Sequence, residues 1–395
     1  NVSLYPDNLI SNTKNMTEHK RILVKIGTQL ITNKNKNIDE SIIEKIVDQV
    51  SLLIKKNIQV LIVTSGAVAS GKSILKTQKT DLNISKKTLT YKQTLASLGQ
   101  APLINLYSKY FQKHNLVVGQ ALISRSDLQN RLGYLNIRNT LENLMNQKAI
   151  PIINENDVVS VDELQGEVYG DNDRLSAMIA NAVDADLLIL LGDIEGIFTS
   201  DPKFNKDAKL INSIKEINDE IINISGDTSD DIGSGGMKSK IEAASLATKS
   251  GTKVVIASGK LNNVILKIIE GQNIGTTINS SGKKLESKKR WLSTGIYESK
   301  GILIIDDGAT KAILEKGASL LPAGILSIEG VFSRGDIISI KSNSGTTFAW
   351  GISNYASNDI KLIKGKGSKN ITELINKKYE PEIIHRDNLV ISRES

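Results

Sequence analysis

The 395-residue chain contains no cysteine, which excludes a disulfide framework, a thiolate nucleophile and a thiolate metal site. Histidine is scarce, with three in the whole chain, and aromatic residues make up only 4%. No apolar run reaches the length needed to span a bilayer. The first twenty residues are polar and asparagine-rich, without the apolar segment that directs secretion. The expectation is a flexible tail at 1–20 on a cytoplasmic chain with no membrane partner.

What is present has ordinary globular make-up. The chain is 39% hydrophobic and too long for one typical core, so two domains are expected. Its formal charge of +7 is spread along the sequence rather than gathered in blocks. A lysine-rich solvated surface accounts for such a charge. That reading is preferred over attraction for an anionic ligand, and charge does not decide among nucleotide, acidic metabolite and RNA.

From Arg21 onward, short continuous apolar runs alternate with amphipathic stretches. The runs Ile22–Ile26, Val60–Thr64, Ile150–Asn154, Leu187–Leu191 and Lys253–Ala257 have the character of strands buried on both faces. Ile42, Ile43, Ile46, Val50 and Leu53 share one helical face after Asp39, a candidate N-cap. Thr88 to His114 reads as a long helical region bent or broken near Pro102, and Lys240 to Ser250 as a helix closed by Gly251. This alternation predicts a parallel sheet covered on both faces, with ligands at the carboxyl ends of its strands. Lys283–Arg290 is a basic, polar connector. Beyond Gly301 the helical pattern fades into short β-type segments, Ile302–Ile305, Ile337–Ile340, Thr347–Ile352 and Ile383–Ile384.

The residues at the strand ends suit phosphate and carboxylate. Lys25-Ile26-Gly27-Thr28 sets a compact cation beside a glycine, where backbone can approach a phosphate closely; taken alone it reads more readily as a surface lysine beside a turn. Thr64-Ser65-Gly66-Ala67 enters a helix, so its N–H groups and the Ser65 hydroxyl form an anion cradle. Asn154-Glu155-Asn156-Asp157 bunches more polar side chains than capping needs and suits a zwitterion, with Asp157 and the amides on its ammonium group. Gly170-Asp171-Asn172-Asp173 leads into a helical stretch from Leu175 to Val183. Acids there are commonly caps, but Asp173 is the candidate organiser of two lysines through charge-assisted hydrogen bonds. Gly233-Ser234-Gly235-Gly236-Met237-Lys238-Ser239-Lys240 reads as a glycine-rich loop opening a helix, the composition that wraps polyphosphate.

One stretch competes. Gly66–Ser73 satisfies the GxxxxGK[ST] phosphate-loop pattern, and Asp186–Asp193 resembles its apolar-strand-then-aspartate partner. Against it, Ile74–Ser85 is lysine-studded and has no sustained apolar face to dock a phosphate-carrying helix on a sheet.

Taken in order, these segments resemble the amino-acid kinase family, most closely its glutamate 5-kinase branch, from Arg21 to Asp387. Ser97-Leu98-Gly99-Gln100, Phe332-Ser333-Arg334-Gly335 and His385-Arg386-Asp387 extend the match. The resemblance implies a three-layer αβα sandwich over 21–285, a linker at 286–298, and a small, mostly-β PUA pseudo-barrel with a C-terminal extension over 299–395. It implies transfer of the ATP γ-phosphoryl group to the γ-carboxylate of L-glutamate, the first step of proline biosynthesis. Carried over by motif, Lys25 and Lys240 would contact the transferring group and Asp173 would orient them. Ser65, Asp157 and Asn172 would hold glutamate. Lys25, Asp193 and the run Ser234, Gly235, Gly236, Met237, Lys238, Ser239 and Lys240 would hold the nucleotide. Mg²⁺ would be held mainly by the nucleotide phosphates, without a metal site built from side chains. A homo-oligomer, dimer or tetramer, and feedback inhibition by proline are implied too. The chain departs from the family pattern at Gly192, where a threonine usually precedes the aspartate.

A carboxylate acceptor is already ionised at neutral pH and needs no general base, which suits a chain this poor in histidine. Acetylglutamate, aspartate, carbamate and UMP kinases are competitors within the family; the β module and the Asn154–Asp157 cluster favour glutamate. A different class, an RNA-binding protein acting through the PUA-like module, is disfavoured by how few aromatics that module offers for stacking bases.

Overall fold

The computed structural model describes residues 19–82, 84–86, 88–129, 131–159, 172–202, 204–218, 221–222, 234–280, 299–366 and 381–391. The segments expected as a tail (1–20, all but His19 and Lys20) and as a linker (286–298) lie outside them, as does the Lys283–Arg290 connector. Two compact units divide the chain, Asn1–Lys284 and Leu285–Ser395.

In the first unit β1 (Arg21–Ile26), β2 (Gln59–Val63), β3 (Val118–Ile123), β4 (Ile150–Glu155), β5 (Leu187–Gly192), β6 (Ser213–Ile214), β7 (Lys253–Ser258) and β8 (Thr276–Ile278) form one sheet, ordered β3-β4-β2-β1-β5-β7-β8-β6. Every pairing in it is parallel except β7 with β8. The five apolar runs of the sequence are its five central strands. β3 carries Gly119 and Gln120 on a half-exposed edge, so it shows no continuous apolar run, and β6 and β8 are two and three residues long.

The helices are α1 (Thr28–Ile31), α2 (Glu40–Lys55), α3 (Ala67–Gln78), α4 (Leu89–Gln112), α5 (Arg125–Gln129), α6 (Arg131–Asn146), α7 (Asp173–Ala182), α8 (Ser234–Lys249) and α9 (Val264–Ile269). Ile22, Val24 and Ile26 of β1 share a core with Ile43, Ile46 and Val50 of α2, Leu103 and Tyr107 of α4, and Ile265 of α9. Side chains alternate along a strand, so Lys25 points to the opposite face, where α7 packs on β1 and β5 and α8 on β7. Asp39 caps α2 as its position suggests, its carboxylate accepting from the Ser41 N–H.

Pro102 does not break the long helix, which runs from Leu89 to Gln112. Pro102 and Leu98, whose carbonyl loses its helical partner, are both exposed, where a freed carbonyl costs least. The helix expected from Lys240 begins at Ser234. The first turn of a helix needs no upstream acceptors for its N–H groups, which lets a glycine-rich run occupy it.

The second unit has its own sheet: β9 (Gly301–Ile305), β10 (Ile325–Gly330), β11 (Ile337–Lys341), β12 (Thr347–Ile352) and β13 (Leu389–Ile391), in the order β10-β9-β11-β12-β13. Helices do not vanish there. α10 (Asp307–Lys316) is capped by Asp306 and closed by left-handed Gly317, and α11 (Ser357–Ile363) buries Ile360 and Ile363. Each presents too narrow an apolar stripe to register as a helical pattern; Ile313 is the one side chain of α10 that is buried. Ile383–Ile384 forms no strand, and Ile384 pairs with Leu320 through a single bridge.

Candidate active site

The carboxyl ends of β1, β2, β4 and β5 meet the first turns of α7 and α8, and Asp173 is their common point. It begins α7 and is wholly buried. Lys25, equally buried, brings its Nζ to 2.6 Å from Asp173 Oδ1. Lys240, from the second turn of α8, brings its Nζ to 2.8 Å from Oδ2, and the Ser239 hydroxyl donates to the same oxygen at 3.0 Å. Charges out of water must be paired. Here two ammonium groups converge on the two oxygens of one carboxylate, which fixes both cations side by side at the strand ends.

Beside this trio lies an amide cluster. The Asn172 Nδ2 donates to the Thr64 carbonyl, to Asn154 Oδ1 at 2.8 Å and to Ser65 Oγ at 3.3 Å. Its Oδ1 is buried without a hydrogen-bond partner among the described residues. A buried acceptor left open in this way calls for a donor from a ligand. The Asn154 Nδ2 in turn donates to Gln100 Oε1 at 2.8 Å, and the Thr64 hydroxyl meets the Tyr107 hydroxyl at 2.8 Å. Burial pushes the Tyr107 phenol well above its usual range, its bond to Thr64 opposing the shift.

At the end of β5, Asp193 is exposed. The Gln29 amide stands against it, and with the amide turned so that its nitrogen faces Asp193 the separations from Oδ2 and Oδ1 are 3.0 and 3.2 Å, as for donation to the carboxylate. A Cβ on Gly192 would lie 3.5 Å from Lys240 Cε and 3.8 Å from Ile194 Cγ1, ordinary contacts, so a side chain fits where this chain has none.

The structure thus gathers Lys25, Asp173, Ser239 and Lys240 in one cluster, and Ser65 with Asn172 in the adjoining one. Asp157 lies half-buried in the turn after β4. The segment expected as a nucleotide-wrapping loop is, from Ser234 to Lys240, the first two turns of α8. Its Ser234, Gly235, Gly236 and Met237 form the helix start, and Lys238 is exposed. A Cβ on Gly236 would meet nothing within 4 Å among the described residues. Gly170, Asp171 and Gly233 lie outside the described residues.

The competing phosphate-loop pattern is not a loop. Ala67 to Ser73 is helical, Lys72 is exposed, and Gly71 is buried where a Cβ would come within 2.0 Å of the Leu95 carbonyl oxygen. Its glycine serves the contact of α3 with α4. Sequence reasoning passed over Gln29 and Tyr107, and it named Gln100 within a family match without giving it a role. The available signal was spacing: Gln100 and Tyr107 stand seven apart on α4, two polar groups along one helical face. Among the described residues no three or more His, Asp or Glu side chains gather as a metal site.

The amino acid kinase family model matches residues 20–258, and the PUA domain model matches residues 301–375. Similar proteins cover nearly the whole chain. Glutamate 5-kinase of Dehalococcoides mccartyi is 44% identical over 373 residues, 94% of this chain and 98% of its own. That of Caldanaerobacter subterraneus subsp. tengcongensis is 41% identical over 371 residues, 94% of this chain and 97% of its own. That of Proteus mirabilis is 40% identical over 377 residues, 95% of this chain and 100% of its own. With its αβα sandwich followed by a PUA domain, the chain belongs to the amino acid kinase family.

Proposed function

We propose that the chain catalyses ATP-dependent phosphorylation of the L-glutamate γ-carboxylate, giving L-glutamyl 5-phosphate, the first step of proline biosynthesis. The observation that carries this reading is the buried Lys25–Asp173–Lys240 trio beside the open acceptor of Asn172. The relatives named glutamate 5-kinase over almost the full length support glutamate as the acceptor.

In the proposed reaction a γ-carboxylate oxygen of glutamate attacks the γ-phosphorus of ATP, the bond to the β–γ bridging oxygen breaks, and ADP leaves. The attacking carboxylate carries no proton to remove, so the site's task is positioning and charge neutralisation. Lys25 and Lys240, each fixed on one oxygen of Asp173, offer ammonium donors to the transferring group. Because Asp173 holds them in place beforehand, no reorganisation is needed as charge develops. The start of α8 receives the ATP phosphates on its N–H groups. Asp193 faces the nucleotide, and Ser65, Asn172 and Asp157 hold glutamate. Magnesium arrives on the ATP phosphates as part of the substrate. A homo-oligomer, inhibition by proline and a cytoplasmic setting belong to the same proposal on the strength of the family resemblance.

The test is ADP release by purified protein with ATP and Mg²⁺, compared across glutamate, N-acetylglutamate, aspartate, carbamate and UMP. Glutamate is expected to give the highest kcat/KM. A higher value with any other acceptor overturns the assignment.

A further inference from the structure

We infer that Gln100 is a positioning residue for the acceptor substrate, acting through Asn154 and Asn172 to keep the Asn172 carbonyl oxygen turned into the site. This rests on the proposed glutamate kinase reading and adds to it how the pocket recognises the acceptor's ammonium group.

The polarity of the relay is set at its inner end. The Thr64 backbone carbonyl can only accept, so the Asn172 atom against it is Nδ2. Asn154 must then present Oδ1 to Asn172, as it does at 2.8 Å. That turns its own Nδ2 outward, where its partner among the described residues is Gln100 Oε1 at 2.8 Å. With both Asn172 hydrogens taken by Thr64, Asn154 and Ser65, what remains is an acceptor: Oδ1, buried and unpartnered among the described residues. A buried acceptor without a partner favours a donor-rich cation such as an α-ammonium group and disfavours a carboxylate. A glutamate held this way keeps its two carboxylates away from Asn172.

Gln100 reaches Asn154 because α3 and α4 touch backbone to backbone. A Cβ on Gly99 would stand 1.9 Å from the Ala67 carbonyl oxygen, so only glycine there lets α4 come close enough to place its next residue against β4. Without Gln100, Asn154 Nδ2 loses its acceptor, and the Asn154 amide gains a competing orientation that sets its nitrogen against that of Asn172. The effect belongs to acceptor binding, because the Lys25–Asp173–Lys240 trio contains no member of the relay.

The test measures KM for glutamate and for ATP in wild type, Gln100→Leu, Gln100→Glu, Asn154→Ala and the Gln100→Leu/Asn154→Ala double variant. Losing one neutral hydrogen bond is expected to raise the glutamate KM of Gln100→Leu roughly tenfold, with the ATP KM unchanged. Gln100→Glu, which retains an acceptor, is expected to recover most of that loss. In the Asn154→Ala background, Gln100→Leu is expected to have no further effect. Equal changes in both KM values, a Gln100→Glu variant as impaired as Gln100→Leu, or additive effects in the double variant would each overturn the relay. Should Gln100→Leu fail to fold, Gln100→Ala enters the same cycle with the same criteria. If wild-type protein turns over ATP with glutamate and the cycle is additive, the relay alone is wrong. If wild type shows no glutamate-dependent turnover, the underlying reading falls first.

Discussion

Asp173 has more at stake than any other side chain of the site, because its carboxylate is what lets two lysine ammonium groups sit away from water. Asp173→Asn keeps the shape and removes the charge. Breaking a buried ion pair from one side costs about 3–5 kcal/mol, so a clear fall in Tm is expected in thermal denaturation. Lys25→Ala and Lys240→Ala each remove a cation from the transferring group and are expected to lower kcat by at least ~10²-fold. Lys72→Ala, on the exposed face of α3, is expected to stay within about 0.5 kcal/mol of wild type in stability and to keep its turnover. The reverse pattern of activities would return the site to the phosphate-loop stretch. At this scale much was legible. Lys25, Asp173 and Lys240 stand far apart in sequence, yet Lys25 lies near the end of β1, Asp173 opens α7 and Lys240 lies in the second turn of α8, where a parallel sheet places its ligands. Gln29 was not legible, and Gln100 was legible as part of a motif but not in its role, since an amide's value depends on what faces it across the fold.

Among the elements, α3 and α4 show what glycine does when two helices cross closely. Gly99→Ala would drive a methyl group against the Ala67 carbonyl oxygen, and no rotamer relieves a clash with backbone. Overpacking of this kind costs about 1–3 kcal/mol, and separating the helices would also draw Gln100 from Asn154, so a lower Tm should come with a higher glutamate KM. Gly236→Ala should divide the two effects. Its Cβ meets nothing among the described residues, and replacing glycine within a helix by alanine favours the helix by up to about 1 kcal/mol. A methyl group there would narrow the space assigned to the ATP phosphates. The expected result is an unchanged or raised Tm with a raised ATP KM; an unchanged ATP KM would remove the start of α8 from the nucleotide site. Strands buried on both faces announce themselves as apolar runs, which is why β1, β2, β4, β5 and β7 were foreseen. Edge strand β3 and the helices α10 and α11 were not, because half-exposed elements carry mixed sequence. The start of α8 was misplaced since glycine composition indicates a loop, whereas a helix's first turn tolerates it.

At the scale of the whole molecule, each unit has its own sheet and its own core. In the second, Leu303, Ile305, Ile338, Ile340, Phe348, Tyr355, Ile360 and Ile383 are buried together. A fragment covering 299–395 is therefore expected to fold alone and to unfold cooperatively on heating, as followed by circular dichroism; a featureless, non-cooperative melt would contradict that independence. Composition alone indicated two parts, and strand-end chemistry a place for phosphate and carboxylate. Glutamate itself was legible only through the ordered resemblance, since pocket polarity names an ammonium and an anion but not the length of chain between them.

The most direct measurement is trapping of the product. Purified protein is incubated with ATP, Mg²⁺, L-glutamate and hydroxylamine, alongside Asp173→Asn and Lys25→Ala. The account predicts a glutamate- and ATP-dependent hydroxamate from wild type, with its formation largely lost in both variants. No hydroxamate from folded wild-type protein, or undiminished formation by both variants, would contradict it.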